Sequence, residues 1–143
     1  MKFTLSIDAM GGDKAPEVII QGLGTAAQRY PFVHFILYGD KERVEPLLIQ
    51  NKMLIGRVTF VPCDEIVTPE TKPSVAVRGL PNSSMRQSIK AVAEGRAQGV
   101  ISAGNTGAYM ALAKLLLKTM PGIDRPALAS LAPTLRGETV LLD

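Results

Sequence analysis

The heptapeptide Ser102-Ala103-Gly104-Asn105-Thr106-Gly107-Ala108 gathers the groups in this sequence best suited to holding an anion. It follows the short apolar run Gly99-Val100-Ile101 and opens a long apolar helix, Tyr109 to Lys118. A turn from strand into helix leaves backbone N–H groups unpaired at the positive end of the helix dipole. Gly104 and Gly107 remove side chains that would keep a negative group away, while Asn105 and Thr106 add an amide and a hydroxyl. The expected chemistry is an oxyanion or phosphate pocket. The competing reading is an ordinary helix cap whose glycines serve backbone geometry.

A second glycine turn, Asp8-Ala9-Met10-Gly11-Gly12-Asp13, leaves another strand-like run for a helix. Ligands of open α/β sheets bind outside such strand ends, so the two turns would border one crevice if their strands are neighbours. Asp8 and Asp13 then stand as a carboxylate pair at its mouth. They could hold a metal, act as a base, or cap the helix (Asp13) and fix the turn (Asp8). Ser83 and Ser84 open a third helix, rich in hydroxyls, with Arg78 and Arg86 nearby as surface charges or contacts for an acidic partner. In Gly122-Ile123-Asp124-Arg125-Pro126, a local Asp124–Arg125 ion pair is expected to shape the turn. Gly22-Leu23-Gly24-Thr25-Ala26-Ala27 matches G-x-G-x-x-A, with Asp40 further on, but its glycines fall inside a helix rather than after a strand. Close packing is the better reading there than dinucleotide binding.

The elements that must position these turns alternate. Strands are expected at Phe3–Asp8, Val33–Tyr38, Val58–Val61, Gly99–Ser102, Ala127–Ala132 and Thr139–Leu142, separated by helix-length segments. That pattern implies an open, mostly parallel α/β sheet with helices on both faces. The turn at Pro133-Thr134-Leu135-Arg136-Gly137 could add an antiparallel hairpin. The first helix is read as capped by Asp13, with Pro16 and Glu17 in its first turn, and as ending near Arg29. A second follows Gly39-Asp40. The proline-rich segment Pro62 to Pro81 reads as one long irregular loop. A third helix starts at Ser84, with Gln87 completing a capping box, an apolar stripe of Met85, Ile89, Val92 and Ala93, and a stop at Gly95. The helix after Thr106 is apolar almost all round, so it is either sandwiched within the domain or packed on a second subunit.

Composition narrows the function classes. The chain has 143 residues, 46% of them hydrophobic and 5% aromatic, and a net charge of +3, enough for one core filled with aliphatic side chains. Its basic residues are scattered and lack stacking aromatics, which argues against nucleic acid. The single Cys63 allows neither an internal disulfide nor a Cys metal site, and no metal or cofactor is expected. His34, inside the strand pattern Phe32–Leu37, reads as structural. The opening Met1–Asp8 has too short an apolar run for a signal peptide, and no stretch reaches 18 apolar residues, so a cytoplasmic protein is expected. Because the sequence stops at Val140–Asp143 in strand-like pattern, residues 1–143 are expected to be a single α/β domain forming the N-terminal part of a longer chain.

Four blocks occur here in order: Asp8–Asp13, Ser83-Ser84-Met85-Arg86, Ser102–Ala108 and Gly122-Ile123-Asp124-Arg125-Pro126-Ala127-Leu128-Ala129. Together they resemble the phosphate acyltransferase family of bacterial phospholipid synthesis, the PlsX type, over the whole chain. The resemblance implies transfer of a fatty acyl group from acyl carrier protein to inorganic phosphate, giving acyl phosphate. It also implies an isocitrate dehydrogenase-like fold and a homodimer; peripheral membrane association stays open. On this reading Gly104, Gly107 and Asn105 serve phosphate or the oxyanion, with Thr106 hydrogen-bonding nearby. Asp8 joins Asn105 and Thr106 as a catalytic residue and, with Asp13, organises the crevice, while Gly11, Gly12, Asp13, Ser84 and Ser102 bind substrate or phosphate. A nicotinamide-dependent dehydrogenase of related fold, or an inactive fragment acting as a binding or assembly domain, are the alternatives.

Overall fold

A computed structural model describes residues 3–143, so Met1 and Lys2 of the opening run lie outside it. Strands β1 (Phe3–Asp8), β2 (Val33–Gly39), β3 (Val58–Pro62) and β4 (Gly99–Ile101) form one parallel sheet in the order β3-β2-β1-β4. Helix α1 (Glu17–Arg29) links β1 to β2, and α2 (Lys41–Gln50) with a short 3-10 turn (Lys52–Leu54) links β2 to β3. Helices α3 (Pro73–Gly79) and α4 (Ser84–Ala93) precede β4, and α5 (Thr106–Leu117) follows it. Strands β5 (Ala129–Thr134) and β6 (Gly137–Leu142) make a separate antiparallel hairpin with Thr134 opposite Gly137. This is the expected fold class, with the hairpin strands displaced by about two residues from the expected bounds.

The two faces of the sheet differ chemically. Ile7, Val33, Phe35 and Leu37 pack against Ile20, Leu23, Ala27, Val44 and Leu54 beneath α1 and α2. Burying each larger side chain of this set contributes about 1.5–3 kcal/mol. On the opposite face Ser6 and Asp8 of β1 meet α4, where the Ser6 hydroxyl donates to the Ser88 carbonyl at 2.8 Å. Both faces of β1 are covered, and serines of α4 satisfy its polar residues.

Several local expectations change. The first helix begins at Glu17 after Pro16, with no side chain capping it, so Asp13 is not the cap. The presumed loop from Pro62 to Pro81 contains α3, which starts at Pro73 because proline suits the first helical turn, where an N–H has no partner anyway. Ser83, not Ser84, caps α4 by accepting from the Arg86 N–H at 3.4 Å, and Gln87 donates instead to the Pro81 carbonyl. The buried stripe of α4 runs through Met85, Ser88, Ile89 and Ala91, leaving Ala93 exposed. Asp124 and Arg125 do not form an ion pair; among the described residues Lys90–Glu94 and Arg96–Glu94 do. Gly22 and Gly24 lie inside α1, and a Cβ on Gly24 would come within 2.6 Å of the Asn51 amide nitrogen, so that glycine serves packing as expected. Helix α5 buries Ala108 and Leu112 among α3 and α4 side chains and leaves Leu115 exposed.

Candidate active site

The chain runs outward from β1 through β2 to β3, then returns to the other side of β1 to form β4. Strand order thus reverses between β1 and β4, which is where open parallel sheets bind ligands, at the carboxyl ends of the strands. Both glycine turns leave those two ends. The register Leu5↔Gly99, Ser6↔Val100 and Ile7↔Ile101 sets them side by side, the condition on which the shared crevice depended.

Their approach is close. A Cβ on Gly11 would lie 2.7 Å from the Gly104 nitrogen, 2.8 Å from Ser102 Oγ and 2.9 Å from Asp8 Oδ2. A Cβ on Gly104 would lie 2.8 Å from Met85 Cε and 3.2 Å from Gly11 Cα. Gly107 faces Pro73 of α3, with 3.3 Å from an added Cβ to the proline ring. These glycines therefore let three segments of protein meet, which differs from the expected clearing of space for an anion. Gly12 has a left-handed φ of 105°, a conformation that favours glycine.

Asp8 is the hub beneath the turns. It is 2% exposed and accepts from Ser84 Oγ at 2.6 Å, Ser102 Oγ at 2.7 Å and the Met10 N–H at 3.1 Å. Ser102 Oγ in turn accepts from the Gly104 N–H at 3.2 Å. Asp8 and Asp13 are consequently not a pair at the mouth, since Asp8 is buried below and Asp13 is exposed at the rim. Ser84 is likewise buried under the crevice rather than lining it.

Asn105 does two things at once. Its Oδ1 accepts from the Ala108 N–H at 3.0 Å and so caps α5, while its Nδ2 donates to the Pro69 carbonyl at 2.8 Å and the Thr71 carbonyl at 3.1 Å. Its amide therefore fastens the 63–72 loop to α5 and is not turned to a ligand. Thr106 is exposed in the first turn of α5.

The space left between the turns and that loop is a cavity of about 240 Å³, lined by Met10, Gly12, Asp13, Thr68, Pro69 and Gly104 among others. Gly11, Gly12, Asp13, Lys14, Val18 and Ala103 line a neighbouring hollow of about 340 Å³, which brings the Lys14 ammonium chain to its edge. An apolar groove of about 340 Å³, with Val18, Ile19, Leu23, Phe35 and Ile101 in its walls, reaches the same turn at Ser102 and Ala103. Sequence reasoning missed both Lys14 and the loop residues Thr68 and Pro69. The four prolines of the 62–81 segment were the available signal for a preset loop, but its partner Asn105 is a tertiary contact.

Two further groups feel Asp8. Burial, with the Asp8 carboxylate adding to it, pushes the Cys63 thiol up to about 11 and raises the Tyr109 phenol. His34 lies on β2 with its Nε2 2.9 Å from Thr59 Oγ1, apart from the crevice.

A family model described as "Fatty acid synthesis protein" matches residues 3–143. The chain is 52% identical to a phosphate acyltransferase of Rhodospirillum rubrum over 139 residues, covering 97% of this chain and 40% of that protein. It is also 52% identical over 142 residues to a phosphate acyltransferase of Rhodospirillum centenum, covering 99% and 40%. A phosphate acyltransferase of Rhizobium rhizogenes is 50% identical over 140 residues, covering 97% and 40%. The chain thus spans about 40% of the length of these curated relatives.

Proposed function

This chain belongs to the fatty acid synthesis protein family, and on that premise we propose that it is the N-terminal part of an enzyme that moves a fatty acyl group from acyl carrier protein to inorganic phosphate. The observation that carries the reading is the pair of glycine turns meeting where strand order reverses, with a small cavity of mixed lining and an apolar groove both reaching that junction. A fatty acyl chain needs apolar surroundings, which the groove offers, and a phosphate needs polar groups, of which the smaller cavity offers Thr68 and the Gly12–Asp13 backbone.

The chemistry asks little of the protein as acid or base. Inorganic phosphate near neutral pH is a mixture of monoanion and dianion, and the dianion is nucleophilic without a protein base. One of its oxygens attacks the thioester carbonyl, a C–O bond forms, and collapse of the tetrahedral intermediate breaks the C–S bond. The departing thiolate, of reference pKa about 8.5, takes a proton from solvent. The protein's task is to hold two anionic reactants together and stabilise the oxyanion, each lost donor costing about 2.7–4 kcal/mol of barrier. On this reading the Gly11–Asp13 turn and Lys14 serve the anions from the edge of the neighbouring hollow, Thr106 hydrogen-bonds nearby, and Asn105 holds the 63–72 loop in place. The rest of the site, a homodimer and a cytoplasmic location belong to the same reading. No helix among the described residues is long and apolar enough to cross a membrane.

The test uses the full-length protein, with acyl-loaded carrier protein as donor. Thiol release should saturate with inorganic phosphate, and hydroxylamine should trap the product as a hydroxamate. Thiol release that ignores phosphate, or hydride transfer to a nicotinamide instead, overturns the proposal.

A further inference from the structure

We infer that Asp8 is a positioning residue, which sets the β4–α5 turn by accepting hydrogen bonds from the hydroxyls of Ser84 and Ser102. The inference rests on the acyl-transfer reading for its kinetic readout and on geometry alone for its structural one.

A carboxylate only accepts, whereas a hydroxyl has one proton and two lone pairs. Asp8 Oδ2 accepts from the Ser102 hydroxyl at 2.7 Å, so a Ser102 lone pair is left for the Gly104 N–H at 3.2 Å. Asp8 Oδ1 accepts from the Ser84 hydroxyl at 2.6 Å and the Met10 N–H at 3.1 Å. The Ser84 bond draws the start of α4 onto the sheet, where Met85 Cε closes against Gly104. One buried carboxylate therefore fixes three segments: its own turn, the first residues of α4, and the turn whose Gly104 lines the smaller cavity. Among the described residues no cation lies within ion-pair distance of Asp8. Its partners are hydroxyls and an amide, which orient rather than neutralise. The carboxylate does not itself reach that cavity, whose lining includes Gly104 but not Asp8.

Asp8→Asn is the informative change. The amide keeps the size of the side chain and one accepting oxygen, but puts an NH₂ where the other oxygen accepted a hydrogen bond. Only one serine can then keep its acceptor. In the full-length protein the KM for inorganic phosphate should rise roughly tenfold, with the KM for the acyl donor within about twofold of its starting value. Ser102→Ala should do the same, Ser102→Thr should restore most of the loss, and the double variant should be no worse than the poorer single one. The Gly104 amide should exchange with solvent faster in Asp8→Asn. A lowered Tm with equal changes in both KM values, or losses that multiply in the double variant, overturns the inference. If the unsubstituted protein shows no phosphate-dependent turnover, the acyl-transfer reading fails by itself. Gly104 exchange then decides the positioning role: faster exchange supports it and unchanged exchange overturns it.

Discussion

Substituting alanine at Gly11 should destabilise the chain through one added methyl group. Gly11 does not have a left-handed φ, so its backbone is open to alanine and the cost is steric. The new Cβ would sit 2.7 Å from the Gly104 nitrogen, 2.8 Å from Ser102 Oγ and 2.9 Å from Asp8 Oδ2. None of these is the free end of a flexible side chain. One is backbone, and the other two are bonded to each other at 2.7 Å. The two turns must part by several tenths of an ångström. Overpacking of this sort costs about 1–3 kcal/mol, and straining the buried Ser102–Asp8 bond adds about 1 kcal/mol, for a total of about 2–4 kcal/mol. For 143 residues the unfolding entropy is about 0.3 kcal/mol/K, so Tm should fall by roughly 7–13 °C. Gly22→Ala is the matched control, because nothing lies within 4 Å of its added Cβ in mid-helix. It should stabilise by about 0.5–1 kcal/mol, raising Tm by roughly 2–3 °C. Thermal unfolding followed by circular dichroism at 222 nm reads both. A Gly11→Ala protein melting within 1 °C of the unsubstituted chain would refute the close approach of the turns.

Asn105→Ala removes a helix cap and the amide's bonds to the Thr68, Pro69 and Thr71 carbonyls, and should cost about 2–3 kcal/mol in urea unfolding. Limited proteolysis should then cut within residues 63–72, whereas Asn105→Asp, which keeps only the cap, should fall between the two. The Cys63 thiol, pushed from its ordinary value of 9.0 up to about 11 chiefly by burial, should react with iodoacetamide at pH 8 far more slowly than after unfolding in urea. Because the folded state keeps this proton while the unfolded state loses it, Cys63 supports stability fully below pH 9. That contribution should decline as pH rises from about 9 to about 11, which urea midpoints at pH 8 and pH 10 would reveal.

That the heptapeptide at Ser102 and the turn at Asp8 each lead from a strand end into a helix was legible in the sequence, whereas the adjacency of their strands was not. What each residue does there was less legible. Asn105 looked like a ligand-facing amide because nothing local accounts for its NH₂ group; its acceptors, Pro69 and Thr71, lie more than 30 residues away in sequence. Gly104 looked like room for an anion, yet its missing side chain is required by Gly11 and Met85, and only strand order brings those together. Ser84 read as half of a capping box until its hydroxyl was found on Asp8, 76 positions away.

Local physics in the chain determined the parallel sheet, most element positions and the end of the sheet where ligands belong. Hydrophobic periodicity and turn chemistry act over a few residues and can be read there. Tertiary structure alone decided that β1 is covered on both faces, which buries Ser6 and takes Asp8 from the expected crevice mouth to beneath the turns. A buried polar group must find partners, and which partners it finds depends on how distant segments pack. For that reason the hydrogen bonds around Asp8, and with them the shape of the crevice, are properties of the folded molecule.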